Sequence, residues 1–274
     1  MSPRRRWFAA GLAAVLVLVV AAGFVVLRRQ GATVDAAPQD RPGPVLLVPG
    51  YGGSAGSLRV LADALRDSGR RVAVVDLPGD GTGDLRAQAG ALRAAADAAL
   101  AGGAPSVDVI GYSAGGVVTR IWAADLGGAA VARRIVTLGS PHHGTSVAEL
   151  AVGLAPSACP LACRQLVPGS DLLDGLPEAP RGPVWTSLWT AQDETVTPPQ
   201  SAVLDGALDV RLQSVCPRAR ISHGQLPRDR LVVGLVRQAL GVPGLAAAPG
   251  PAQCDAVRAR GAATGTEPPG DVSS

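Results

Sequence analysis

The sequence predicts an α/β chain, a mostly parallel six-stranded sheet with helices on both faces, preceded by one N-terminal transmembrane helix. Three observations predict it. Short β-branched or apolar runs alternate with longer Ala/Leu/Arg stretches of helical period, Gly or Pro stops most of the runs, and residues 7–27 carry no charge. Such alternation builds a sheet covered on both sides, with ligands bound at the C-terminal ends of its strands.

The uncharged run from Trp7 to Leu27 has 21 residues, which as a helix would span roughly 31 Å, about one hydrocarbon core. Arg4, Arg5 and Arg6 precede it and Arg28 and Arg29 follow it. The three-to-two bias puts the N-terminus in the cytoplasm and the remainder outside. The run is longer than the apolar region of a cleavable signal and ends in Arg-Arg, so residues 1–30 read as an uncleaved anchor. Val34-Asp35-Ala36 is the alternative cleavage site, and Arg5-Arg6-Trp7-Phe8 faintly resembles a twin-Arg export signal. The expected location is the cell membrane, single-pass, with the main domain outside, or secreted if the segment is removed.

Residues 31–43, with Pro38 and Pro42, read as a tether. The main domain is expected over 44–240. Its strands are predicted at Val45–Val48, Arg71–Val75, Val107–Ile110, Ile135–Leu138, Val184–Trp189 and Leu208–Gln213. Helices are expected near 55–68, 84–101, 114–126 and 229–240. Residues 141–182 show no strand pattern and read as an excursion over the C-terminal edge. Residues 241–274 read as an irregular Pro/Ala/Gly-rich tail pinned near Cys254.

Composition excludes several chemistries. All 25 basic residues are Arg, so neither a Lys Schiff base nor a GxxxxGK[ST] phosphate loop exists. Aromatic residues make only 3% of the chain with no basic stripe among them, which argues against a nucleic-acid partner. Setting aside the five Arg of the anchor leaves 20 Arg against 22 acids, or −2, so the net charge of +3 belongs to that segment. The four cysteines, Cys159, Cys163, Cys216 and Cys254, all fall on the expected outer side, where disulfides persist. Three pairings exist, and local proximity favours Cys159–Cys163 with Cys216–Cys254. A zinc site would need a second tight ligand pair, which Cys216 and Cys254 do not supply.

Two motifs compete for the function. Gly50-Tyr51-Gly52-Gly53-Ser54-Ala55 follows the first strand and matches G-x-G-x-x-A, with Asp76 at the end of the second strand. That would hold a dinucleotide pyrophosphate on backbone N–H groups, although Pro49 removes a donor at the turn. Gly111-Tyr112-Ser113-Ala114-Gly115 is a G-x-S-x-G between a strand and a helix. The sharp turn forces strained geometry on Ser113 and leaves room only for glycine beside it, while the helix N-terminus aims free N–H groups at a developing anion.

A serine hydroxyl needs a base, and His223, on the loop after the last strand, is the candidate. Asp193, after the fifth strand, is the expected acid that orients it, and Glu194 also satisfies the spacing. Asp205 precedes the sixth strand and Asp209 falls at its start, so both lie at the wrong edge. Adjacent residues on extended chain point opposite ways, so His142 and His143 make a poor shared metal site, and packing behind the site is expected of them. The loop after the first strand then supplies the Tyr51 N–H to an oxyanion hole shared with the Ala114 N–H.

Together, Leu47–Gly53, Gly111–Gly116, Ser140–Thr145, Asp193–Pro198 and Ser222–Gly224 resemble the matching segments of secreted bacterial lipases and esterases of the α/β-hydrolase fold, over about residues 44–240. The resemblance implies ester hydrolysis through an acyl-enzyme on Ser113, Asp193 and His223. That chemistry needs no cofactor, no metal site is expected, the expected partner is an ester or lipid substrate, and the chain is expected to be a monomer. The Cys159–Cys163 hairpin also resembles a disulfide of extracellular members. Pro49-Gly50 departs from the His-Gly of many lipases, and the anchor is unusual among freely secreted ones. The same three groups would serve an acyltransferase. A non-catalytic or dinucleotide-binding protein using the Gly50–Ala55 loop is the other class.

Overall fold

A computed structural model describes residues 36–262. The membrane span expected at residues 7–27 lies outside the described residues, as does the end of the tail. Among the described residues no helix is long and apolar enough to cross a membrane.

Six parallel strands, β1 (Val45–Val48), β2 (Val72–Val74), β3 (Val107–Tyr112), β4 (Ala132–Leu138), β5 (Val184–Trp189) and β6 (Leu208–Arg211), pair in the order β2-β1-β3-β4-β5-β6. The helices are α1 (Arg59–Asp67), α2 (Leu85–Ala101), α3 (Ala114–Asp125), α4 (Ser146–Leu154), α5 (Leu161–Gln165), α6 (Arg230–Ala239) and α7 (Cys254–Ala262), with one-turn helices between. After β2 the chain returns across β1 to build β3. The winding direction therefore reverses, and α1 and α3 fall on opposite faces of the sheet. Leu61 and Leu65 of α1 pack with α6 in one apolar core, and Leu92 of α2 packs with Val117 and Ile121 of α3 in the other. Reversal leaves a crevice beyond the C-terminal ends of β1 and β3, the usual ligand position in such sheets.

Local signals explain most elements. In α2 the buried Leu85, Gln88, Ala89, Leu92 and Ala96 recur at helical spacing, and Asp84 caps its start by accepting from Arg86 N–H. Helix α3 is buried from Ala114 to Ala123, as its nearly all-apolar sequence requires.

Four expectations are corrected. Strand β4 begins at Ala132 rather than Ile135, because Arg133 is fully buried yet satisfied. Its Nε and one terminal nitrogen donate to both oxygens of buried Asp108 on β3, at 2.9 and 2.6 Å. Strand β6 stops at Arg211, where Leu212 and Val215 enter the core on a helical turn. The expected tether is laid onto the body from Ala37 to Gly43: Ala37 is buried, Gln39 and Arg133 exchange side-chain-to-carbonyl hydrogen bonds, and Arg70 donates to Gly43 O. The tail is not irregular throughout, since it carries α7. Cys254 is disulfide-bonded to Cys216, and Gly234 and Gly261 let α6 and α7 touch backbone to backbone. A Cβ on Gly261 would lie 1.9 Å from Arg230 O.

The excursion at 141–182 contains no strand but folds into α4, α5 and further single turns. The Cys159–Cys163 disulfide closes its middle, and both expected pairings are present. A buried guanidinium holds both of its ends. Arg120 of α3 donates to His142 O at 2.8 Å, Pro177 O at 2.7 Å and Leu176 O at 2.9 Å, and reaches Glu178 at 3.3 Å.

Candidate active site

Ser113 occupies the turn from β3 into α3 with φ 53° and ψ −127°, the one non-glycine residue with positive φ among those described. Such a conformation costs free energy and persists only where the surroundings impose it. Here three glycines let them. A Cβ on Gly111 would stand 2.5 Å from Gly116 Cα, one on Gly115 2.3 Å from Val48 O, and one on Gly116 2.0 Å from Ser140 Oγ. The helix start is thereby pressed against the end of β1. Ser113 N–H donates to Leu138 O at 2.9 Å, which holds the turn from the β4 side.

His223 Nε2 is 3.0 Å from Ser113 Oγ, and His223 Nδ1 is 2.8 Å from Asp193 Oδ2. Residues from three separate loops, 110 and 30 positions apart, form one hydrogen-bonded chain. The Asp193 and His223 side chains are only 2% and 7% exposed. Asp193 Oδ1 accepts from Thr195 N–H and Val196 N–H at 3.0 and 2.7 Å, so the carboxylate is held while its second oxygen faces the ring. Gly139 packs beneath this pair at φ 53°, where a Cβ would stand 2.5 Å from Leu226 Cδ1 and press on Asp193 Oδ2 at 3.1 Å and His223 Nδ1 at 3.2 Å.

Geometry separates the two adjacent carboxylates that spacing left open. Glu194 does not reach the imidazole; its Oε2 accepts from the backbone N–H of His223 at 3.2 Å. Tyr112, which the sequence reading passed over, donates its hydroxyl to His223 O at 3.3 Å, and its ring centroid lies 5.2 Å from the imidazole. Burial, then the charges of Asp193 and Glu194, push the Tyr112 phenol up to about 12, so it remains a donor. Its place beside the serine in the G-x-S-x-G was the available signal. For Arg120 the signal was a lone cation within an apolar helix.

The histidine pair does not lie on extended chain as expected: both residues sit in a turn closed by Gly144 N–H to Pro141 O at 3.1 Å, and of the two only His142 packs inside. His142 is fully buried with Nε2 3.2 Å from Thr137 Oγ1, whereas His143 is exposed and pairs with Glu178 at 3.0 Å. Burial, then the Arg120 and His143 charges, hold His142 well below the usual histidine range. Among the described residues no three His, Cys, Asp or Glu side chains are arranged to hold a metal.

An apolar cavity of about 270 Å³ opens beside Ser113, walled by Tyr51, Val147, Ala151, Cys163, Leu166 and Val196 among others. Much of its wall comes from the excursion. Tyr51 enters from the turn after β1, where a Cβ on Gly50 would stand 3.0 Å from Ser113 Cβ. The Gly52 and Gly53 amides of that turn are already bonded, to Gly81 O and Gly50 O, and Gly81 lies against them: its Cβ would be 2.4 Å from Gly53 N. A pyrophosphate would find those donors spent and that approach covered. The same loop remains open toward Ser113.

Residues 43–157 match the family model described as the alpha/beta hydrolase fold. No curated protein matches the chain. Among solved structures, Aspergillus fumigatus lipase B superposes with a TM-score of 0.63 at 20% identity, covering 83% of this chain and 58% of its own. Bacillus licheniformis lipase BlEst2 in its propeptide form gives 0.60 at 19% identity, over 77% of this chain and 52% of that one. The mature form gives 0.52 at 21%, over 65% and 86%. The chain thus spans little more than half the length of the first two. At these identities the likeness speaks for the fold. The chain has the α/β-hydrolase fold with lipases among its structural neighbours.

Proposed function

We propose that this chain is a serine hydrolase that cleaves carboxylic esters, in the lipase and esterase class, acting outside the membrane to which its N-terminal segment anchors it. One observation carries the reading: the unbroken Ser113–His223–Asp193 hydrogen-bond chain at the mouth of an apolar cavity. Ser113 Oγ attacks the acyl carbonyl while His223 Nε2 takes its proton, and Asp193 stabilises the imidazolium. The oxyanion is received by the N–H groups of Tyr51 and Ala114, the latter at the positive end of the α3 dipole. His223 returns the proton to the departing alcohol. Water, deprotonated by the same imidazole, then attacks the acyl-serine; as the acyl–Oγ bond breaks, the imidazolium returns that proton to Ser113 Oγ and the acid is released. A lining of Ala, Val and Leu side chains suits the acyl chain of the ester. The two disulfides support an oxidising location.

The test is hydrolysis of nitrophenyl esters of increasing chain length by the purified full chain, alongside fluorophosphonate labelling. The wild type is expected to hydrolyse them and to be labelled at Ser113. Ser113→Ala should lose labelling and about 10⁶-fold in kcat. A folded Ser113→Ala variant that hydrolyses these esters at the wild-type rate would overturn the reading.

A further inference from the structure

The base stands on a loop, and its main chain is held by two side chains that the reaction does not consume. His223 begins a single 3-10 turn, His223–Gln225, so no helix or sheet ladder satisfies its backbone N–H. Glu194 does so at 3.2 Å. On the other side of the residue, its carbonyl accepts from Leu226 N–H at 3.1 Å and from the Tyr112 hydroxyl at 3.3 Å. Tyr112 is the chain neighbour of Ser113, and Glu194 is the chain neighbour of Asp193. Each partner of the imidazole therefore has a neighbour gripping the histidine's backbone. A displacement of the nucleophile's turn or of the acid's loop carries the base with it.

We propose that Tyr112 and Glu194 are positioning residues that keep His223 in register with Ser113 and Asp193. This rests on the ester-hydrolase reading above. The two residues act on the base rather than on the substrate, so their loss lowers kcat and leaves KM nearly unchanged. Misplacing a reacting group by about 1 Å costs roughly 10²-fold, and loosening a single hydrogen bond costs about tenfold or less.

The experiment compares the full-length wild type with Tyr112→Phe, Glu194→Ala, Glu194→Gln and Ser113→Ala on one soluble short-chain ester, with thermal unfolding recorded for each. Tyr112→Phe removes only the hydroxyl and should lower kcat about tenfold with KM within about twofold. Glu194→Ala should lose about fivefold in kcat in the same manner. Glu194→Gln should recover most of that loss, because its amide oxygen still accepts from His223 N–H. A kcat as high as wild type in both Tyr112→Phe and Glu194→Ala, a loss appearing in KM alone, or a Glu194→Gln variant no better than Glu194→Ala would each overturn the proposal. Ser113→Ala keeps the two readings apart. If it is inactive while the other variants match wild type, only the positioning role falls; if it retains wild-type activity, the hydrolase reading falls.

Discussion

Gly115 and Val48 touch so closely that a single methyl group could not stand between them: a Cβ on Gly115 would lie 2.3 Å from the Val48 carbonyl oxygen and 2.4 Å from that of Pro49. This contact brings the end of β1, with Tyr51, against the start of α3, with Ser113 and Ala114. It joins the two halves of the expected oxyanion hole across the point where the sheet reverses direction.

Gly115→Ala should therefore push α3 away from β1. Overpacking of this kind costs about 1–3 kcal/mol, read from urea unfolding, and ester hydrolysis should fall with it because the two N–H groups separate. An alanine variant with wild-type stability and rate would show that the helix can retreat freely.

Asp193→Asn keeps the size of the side chain but replaces the acceptor at His223 Nδ1 with a group that can donate, favouring the wrong imidazole tautomer. A loss of about 10⁴-fold in kcat is expected, with KM little changed. Glu194 has its oxygen on a backbone amide, so it cannot stand in. Steady-state kinetics check this, and a loss below tenfold would reassign the acid.

His142 is neutral in the fold because burial and the Arg120 charge hold its pKa well below the ordinary 6.5. Once unfolded it regains that ordinary value. Below about pH 6.5 the unfolded chain binds a proton that the folded chain refuses, so stability falls as pH drops, by up to about 1.4 kcal/mol per pH unit for one proton. His142→Gln should flatten the decline. Melting temperatures from pH 7.5 to 5.5 measure it, and parallel curves for the two proteins would count against it.

Helix α4 lines the cavity with Val147, Ala148 and Ala151, while Leu150 and Leu154 of the same helix are 60% and 83% exposed. If the substrate is presented on an aggregate, those leucines meet it. Leu150→Glu with Leu154→Glu should reduce hydrolysis of emulsified triglyceride severalfold while a soluble short-chain ester is cleaved normally. Equal rates on both substrates in the double variant would separate this face from function.

The serine and histidine were legible because their signals are local. Two glycines around Ser113 between a strand and a helix have few other uses, and only three histidines compete for the base. Arg133 and α7 were not legible. A buried arginine reads as a surface residue until Asp108 is found beside it on the neighbouring strand. A helix of Ala, Arg and Gly shows no apolar stripe, and Val257 gains its place only through contact with α6.

By itself, the sequence determined the alternation of strands and helices, the order of the three candidate groups along the chain, and the Cys159–Cys163 pair four positions apart, because periodicity, turn residues and short separations act locally; Cys216–Cys254, 38 positions apart, followed only as the remaining pair. Only the tertiary structure decided which of two adjacent carboxylates meets the imidazole, what anchors the base, and whether the glycine loop can accept a phosphate. Those outcomes depend on distances of tenths of an ångström between residues up to 110 positions apart, and no local pattern encodes such distances.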